Sequence, residues 1–444
     1  MSQPRLFVPD TLVVRTSERR GWAVLETDGW IRELGPAADL GADHPDAIVI
    51  PLPGIALLPG AVNAHSHSFQ SLLRGLADDR PFAEFRDHLY KLVPLLDEEG
   101  VYAGGLLAFG EMLLRGSTTV CDFFYLDHGN NDRSLAVIRA ARDVGIRLVL
   151  ARTMMDAPTA PAAFRASPAD ATARVLELAV RLQGDERCSV VPAPHSPHGA
   201  SPEMIRAGAR IAGELGTPWH IHVAEAPYEA KLTMERHGRG PLAWIASLGV
   251  LDERIRIVHG VWVDDAEVEM LARAGGGLIH CPGSNLFLGD GVAPLPAYLR
   301  HGVTVSLGCD SGSANSRLSI FGDMRLAAIL QKGLTGTSEI VTAEQAFEMG
   351  TANGRLATGR PVGIIDVGMR ADFVAVSLDD LSMQPEHRLL HNVVYSMEPT
   401  AIRHVYVGGE AVVRDGRLTR VPEGDIRRRV SATVADWAVA QTGS

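Results

Sequence analysis

The run GIALLPGAVNAHSH, residues 54–67, decides how this chain is read. It is an apolar stretch of strand character that ends in two histidines, His65 and His67. Residues two apart on a strand point to the same face. One strand can therefore bring two imidazoles to one ion. The same form recurs downstream. PWHIHVAE (218–225) ends in His222 and Glu225, RIRIVHG (254–260) in His259, and TVSLGCDS (304–311) in Asp310. Together these ends offer three imidazoles and a carboxylate for one divalent metal. A second carboxylate and a further imidazole are left for proton transfer. A His/carboxylate set with room for water is the donor chemistry of a catalytic rather than a structural zinc site.

Working outward, more strand-like runs fall into the same series: STTVCDFF (117–124), IRLVLARTMM (146–155), CSVVPAPHS (188–196) and GGLIHCPG (276–283). With the four above they make eight. Helix-like runs separate them, among them EEGVYAGGLLAFGEMLLRG, RSLAVIRAARDVG, ADATARVLELAVRLQG, PEMIRAGARIAGELG and DAEVEMLARAGG. Eight strands alternating with helices over roughly 300 residues predict a (β/α)8 barrel, an α/β fold. Active sites of that fold lie at the C-terminal ends of the strands. The histidines and Asp310 fall at those ends, so the pattern of elements and the pattern of donors agree.

Both ends of the chain read differently. Residues 1–57 hold short strands with turns, including an Asp28-Gly29 hairpin signal. From 358 onward come ADFVAVSL and RHVYVGGEAVVRDGRL, with Gly408-Gly409 and Asp415-Gly416 as turns, and then a terminal helix. The expected organisation is a barrel over 58–357 and one small β-sandwich built from 1–57 and 358–444. A chain of 444 residues is long enough for such a division. The net charge of −11 argues against nucleic acid as a partner. The N-terminal MSQPRLFVPDTLVV has no long apolar stretch, so no membrane partner is expected. Cys121, Cys188, Cys281 and Cys309 show no close pairing, as in a reducing, cytoplasmic setting.

The residues then divide by position. His222 lies nearer its strand end than His220, which is expected one layer deeper as a hydrogen-bonded core histidine. Glu225, just past the strand, can face a pocket, and His259 can bind metal or hold water. Asp310 can touch both metal and water. His195 and His198, in APHSPHG after the fourth strand, can reach substrate, with His195 nearer the strand end. Cys281 is read as a packed small residue, because no base pairs with it in sequence. The fourth strand carries no lysine before its end, which favours one metal over a bridged pair.

PGAVNAHSH, HVAE, RIVHG, HCPGSNLFLGDG and SLGCDSGSANSRLSIFGDMRLAAILQK stand in the order and spacing of the amidohydrolase superfamily. Over essentially its whole length the chain resembles the deaminase and s-triazine-hydrolase (chlorohydrolase-like) branch. The resemblance implies His65, His67, His222 and Asp310 as metal ligands. It implies Glu225 and His259 as proton carriers, and His195 as a substrate contact. It also implies a homodimer as the usual assembly. HSHSFQSLLRGL, FRDHLY and FFYLDH are locally similar to formimidoylglutamate deiminases. That similarity would make Gln70, Arg86 and Tyr125 substrate contacts, Arg86 pairing a carboxylate bidentately. His198 stands where that family tends to carry an arginine.

The expected function is a metal-dependent aminohydrolase, acting on a small amino-heterocycle or amidine and releasing ammonia. Its expected cofactor is one divalent ion, Zn2+ before Fe2+ or Mn2+, since the same donors serve all three. The alternatives are a formimidoylglutamate-type deiminase, an s-triazine chlorohydrolase or amidase, and a non-catalytic barrel scaffold.

Overall fold

The computed structural model describes residues 2–442 except 77, 81 and 127–128. Asp127 and His128 of the FFYLDH stretch thus lie outside the described residues. Eight parallel strands build the barrel: β1 (Ala61–Ser66), β2 (Ser117–Phe124), β3 (Arg147–Met154), β4 (Cys188–Pro194), β5 (Trp219–Val223), β6 (Ile255–His259), β7 (Gly277–His280) and β8 (Thr304–Leu307). They form two parallel ladders, β1 to β4 and β5 to β8. At one seam the His222 N–H donates to the His195 carbonyl at 3.0 Å. At the other, the Asp310 N–H donates to the His65 carbonyl at 3.0 Å and Ser66 Oγ donates to the Asp310 carbonyl at 2.8 Å.

The helical runs fold as the periodicity predicts, and side chains cap them. Asp97 accepts from Gly100 N–H to start Glu98–Leu114, and Ser201 accepts from Met204 N–H to start Pro202–Leu215. Asp264 and Glu267 form a reciprocal capping box on Asp265–Arg273. Each cap satisfies backbone donors that the first helical turn leaves unpaired.

The opening run, expected as a single strand, is two. Ile48–Pro59 belongs to the sheet of the chain ends, and β1 begins at Ala61. The break falls at Gly60, where a Cβ would stand 2.0 Å from Thr118 Oγ1. Only glycine passes that point. Its N–H donates to the Asp372 carbonyl at 2.9 Å, which ties the break to the sheet.

Nine strands from both ends join in one hydrogen-bonded β unit. Ile48–Pro59 runs parallel to Arg5–Val14 and antiparallel to Phe373–Ser377. The three turn signals read from the sequence make three of its hairpins. Asp28-Gly29, Gly408-Gly409 and Asp415-Gly416 all have positive φ at both residues, the twist that two-residue hairpins need. Phe7, Phe373 and Tyr406 pack edge to face at its centre. The helix Glu423–Thr442 closes the chain. Its Arg429 lies over the Tyr102 ring of Glu98–Leu114. Among the described residues no helix is long and apolar enough to cross a membrane.

One buried ion pair joins barrel to sheet. Arg147, at the start of β3, donates from Nε and Nη2 to the two carboxylate oxygens of Asp372, both at 2.9 Å. The side chains are 2% and 1% exposed. Asp372 also accepts from Gly408 N–H at 2.7 Å. Removing one partner leaves a buried charge without compensation. Asp372→Ala is therefore expected to cost about 3–5 kcal/mol in denaturant unfolding. Replacing both partners with apolar residues should cost much less.

Candidate active site

The strand ends converge as the sequence predicts. His65, His67 and His222 offer ring nitrogens within 4.8 Å of one another, and so do the side chains of Glu225, His259 and Asp310. The two groups touch. Asp310 Oδ1 stands 3.8 Å from His65 Nε2 and 3.6 Å from His67 Nε2. His220 lies deeper, bonded through Nε2 to the Ala357 carbonyl at 2.8 Å, a core histidine. Cys281 is fully buried and burial pushes its thiol up, which fits a packing role.

Three positions are aimed by strained backbone. Ala224, His259 and Asp310 have φ of 55°, 73° and 58°. Residues other than glycine rarely occupy that region, and where they do the surroundings must enforce it. Adjacent residues on a strand face opposite ways. Val258 packs with Ala64, Ile279 and Cys281. The left-handed turn at the next residue breaks the alternation and swings His259 toward the other imidazoles.

Hydrogen bonds from behind set two of the imidazoles. His67 Nδ1 donates to the Phe123 carbonyl at 2.5 Å, and His222 Nδ1 to the His195 carbonyl at 2.9 Å. Their Nε2 lone pairs therefore face the centre, the arrangement by which proteins orient metal-binding histidines. His222 Nε2 is 3.2 Å from His65 Nε2. A gap of that length takes either one shared proton or a cation. Two nitrogens each about 2.0–2.1 Å from a tetrahedral ion stand about 3.3 Å apart, so the set fits a divalent metal. Burial holds the imidazoles neutral, as ligands must be. It drives His67 to about 4, His222 to about 3 and His65 well below the ordinary value.

The carboxylates carry the opposite shift. Burial, then Asp290, Glu229 and Asp310, push Glu225 well above the usual range. That shift favours its protonated form. Its Oε1 lies 3.5 Å from His259 Nε2. Asp310 is also raised by burial, while Ser284 Oγ, donating to its Oδ2 at 2.5 Å, opposes that shift.

His67, His222, Glu225, His259 and Asp310 line one cleft. The other expected residues lie there too. Gln70 Nε2 donates to Tyr125 Oη at 2.5 Å, and Ser313 Oγ donates to Gln70 Oε1 at 3.3 Å. His195 sits beside His222, their rings 5.1 Å apart. His198 lies nearer the rim, its Nδ1 3.4 Å from Glu229. Arg86 lines the mouth from helix Phe82–Leu92, pairing with Asp87 and lying over Tyr90. Phe85, Leu89, Met155, Phe164 and Leu288 supply the apolar surface.

Sequence reading passed over Ser284, Asn285 and Asp290, although all three lie in HCPGSNLFLGDG, recognised only as a block. It also passed over Glu229, which accepts from the Glu225 N–H at 3.0 Å. The Glu-x-x-x-Glu spacing was the available signal.

Residues 56–412 match the model of the amidohydrolase family. The chain belongs to that family. It is 32% identical, over 92% of each chain, to a 5-methylthioadenosine/S-adenosylhomocysteine deaminase of Syntrophobacter fumaroxidans. It is 32% identical to a 5′-deoxyadenosine deaminase of Methanopyrus kandleri, over 83% of this chain and 84% of that one. Among solved structures it is similar to an adenosine deaminase from Xanthomonas campestris with bound zinc. The TM-score is 0.91 at 28% identity, covering 97% of this chain and 98% of that one. An atrazine chlorohydrolase from Arthrobacter aurescens, complexed with zinc, gives a TM-score of 0.90 at 22% identity, over 97% of this chain and 100% of that one. That likeness is one of fold. The chain is thus a hydrolase of carbon–nitrogen bonds in the deaminase branch of a family that binds a divalent metal. These relatives give no support to the local resemblance to formimidoylglutamate deiminases.

Elemental analysis of the purified chain is expected to find about one divalent ion per chain. His222→Ala should lower metal affinity by at least as much as loss of a supporting hydrogen bond does, roughly 10–100-fold.

Proposed function

We propose that this chain is a metal-dependent aminohydrolase that removes the exocyclic amino group of an adenosine-like nucleoside as ammonia. The observation that carries this reading is the grouping of two carboxyls and an imidazole, Glu225, Asp310 and His259, directly against the three-imidazole set. Its relatives act on adenine nucleosides according to their names. The cleft is lined by both polar groups and apolar side chains, suited to a planar base with a sugar.

His65, His67, His222 and Asp310 are the proposed ligands, with zinc the proposed ion. A divalent ion there supplies Lewis acidity and lowers the pKa of water into the neutral range. The chain's own groups then manage protons. Asp310 accepts the proton of the attacking water, with His259 orienting the nucleophile. Glu225, held protonated, donates to the ring nitrogen beside the carbon under attack. Asp310 passes its proton to the departing amine and the remaining hydroxyl proton replaces the one Glu225 gave, so that water and the amino compound become a carbonyl and ammonia. His195, Gln70 and Tyr125 contact the substrate beside the reacting carbon. His198 and Arg86 meet its far end at the rim.

The test is ammonia release across a panel of adenosine, 5′-deoxyadenosine, 5-methylthioadenosine, S-adenosylhomocysteine, an amino-s-triazine, a chloro-s-triazine and a formimino amino acid. Ammonia from one or more of the nucleosides is expected. Its absence from all of them sinks the reading, and chloride from the triazine would replace it. In Asp310→Asn, turnover should fall by at least about 10³-fold while circular dichroism stays unchanged, because a ligand and a proton acceptor are lost together. Near-normal turnover in that variant would remove Asp310 from the mechanism.

A further inference from the structure

The chain leaves β1 through an alternation, His65-Ser66-His67-Ser68, of which the reading above uses only the histidines. The two serines are fastened to the flanking strands. Ser66 Oγ donates to the Asp310 carbonyl at 2.8 Å on the β8 side. On the β2 side a single residue, Asp122, holds Ser68 twice. The Ser68 N–H donates to Asp122 Oδ1 at 2.6 Å, and Ser68 Oγ donates to Oδ2 at 2.7 Å. We infer that Asp122 is a positioning residue for the ligand set proposed above: by clamping Ser68, it fixes the backbone that aims His67 at His65 and His222.

Asp122 is placed to act through Ser68 and not on a ligand or substrate directly. Adjacent residues on a strand face opposite ways. Cys121 lies against His220, and the Phe123 ring is 4.4 Å from that of His222, so both neighbours point into the barrel. Asp122 points out of it. It is fully buried and is not among the residues that line the cleft. No cation among the described residues offsets it. A carboxyl is costly to bury without donors, and both of its donors come from Ser68.

The clamp supplies what the ladder does not. The pairing of β1 with β2 shifts register between Asn63 and Ser66, so backbone bonds alone do not fix the end of β1. His67 then turns the chain into the short 3-10 helix Ser68–Leu73, with φ −126° and ψ 86°. Any change in those angles swings its ring. The bond from His67 Nδ1 to the Phe123 carbonyl is one point, about which the ring can pivot. Asp122, the residue before Phe123, adds two more at the residue after His67. Further along, Tyr125 Oη accepts from Gln70 Nε2 at 2.5 Å. Residues 122–125 thus hold residues 67–70 at three places.

The inference rests on His67 being a metal ligand, which His67→Ala tests separately. The measurement is the Zn2+ affinity of the full chain, by competition with a chromophoric chelator. Asp122→Ala should weaken binding by about 10–100-fold, the scale for groups that orient metal ligands. Asp122→Asn keeps the shape of the clamp, because its Oδ1 accepts from the Ser68 N–H and its amide donates to Ser68 Oγ, and should stay within about threefold of wild type. Val120→Ala, buried on the same face of β2, should lose stability in denaturant but not affinity. Hydrogen exchange over residues 66–73 of the metal-free chain should rise in Asp122→Ala and not in Val120→Ala. Wild-type affinity in Asp122→Ala, or an equal loss in Val120→Ala, overturns the inference. So does an equal loss in Asp122→Asn, which would assign the effect to charge. Should Asp122→Ala not fold, Ser68→Ala cuts one bond of the clamp and keeps the other. It should weaken binding by about tenfold, and unchanged affinity there also overturns the inference. If His67→Ala binds Zn2+ as wild type does, the ligand set falls and the inference with it. A loss in His67→Ala without one in Asp122→Ala removes the inference alone.

Discussion

The closure of the barrel and the assembly of the site rest on the same few hydrogen bonds. The two ladders meet at only two seams. One is bridged from His222 N–H to the His195 carbonyl, the other from Asp310 N–H to the His65 carbonyl, with Ser66 Oγ on the Asp310 carbonyl. The residues that zip the halves together are those whose side chains face the centre. The His195 carbonyl accepts twice, from the His222 backbone and from its ring. A shift in either seam would displace one of the clustered side chains, so the precision of the cluster comes from backbone geometry and not from side-chain packing alone.

Burial does the rest of the chemistry. Taking an isolated charge out of water costs several kcal/mol even after relaxation, so buried groups settle as neutral forms or find partners. The imidazoles at the centre respond by losing their protons. Glu225, crowded by Asp290, Glu229 and Asp310, responds by keeping its own. Desolvation thus favours neutral imidazoles and a neutral carboxyl side by side. The set fits a divalent ion, a partner that neutral imidazoles and a buried carboxylate can share.

Backbone strain and a buried ion pair mark the two ends of the barrel. At the cleft end, Ala224, His259 and Asp310 are held in left-handed conformations, with Asp310 on a seam and His259 beside Asn285. At the other end, Arg147 and Asp372 tie β3 to the sheet of the chain ends.

The sequence by itself determined the alternation of strands and helices, the hairpin turns, and the donors at the strand ends. All of these are local: periodicity, turn residues and the position of a histidine after an apolar run are written in neighbouring letters. It misjudged the first strand, because the contact that splits it, Gly60 against Thr118, spans 58 residues. It also overlooked Asn285, Asp290 and Glu229, whose importance lies in what they touch. Only the tertiary structure decided which ring nitrogens face the cluster, which carboxyls burial pushes up, and which way His259 points. Those properties depend on burial and on hydrogen bonds between strands far apart in the chain. A sequence shows which groups are available. Their protonation and tautomer are fixed only when the fold removes water from around them.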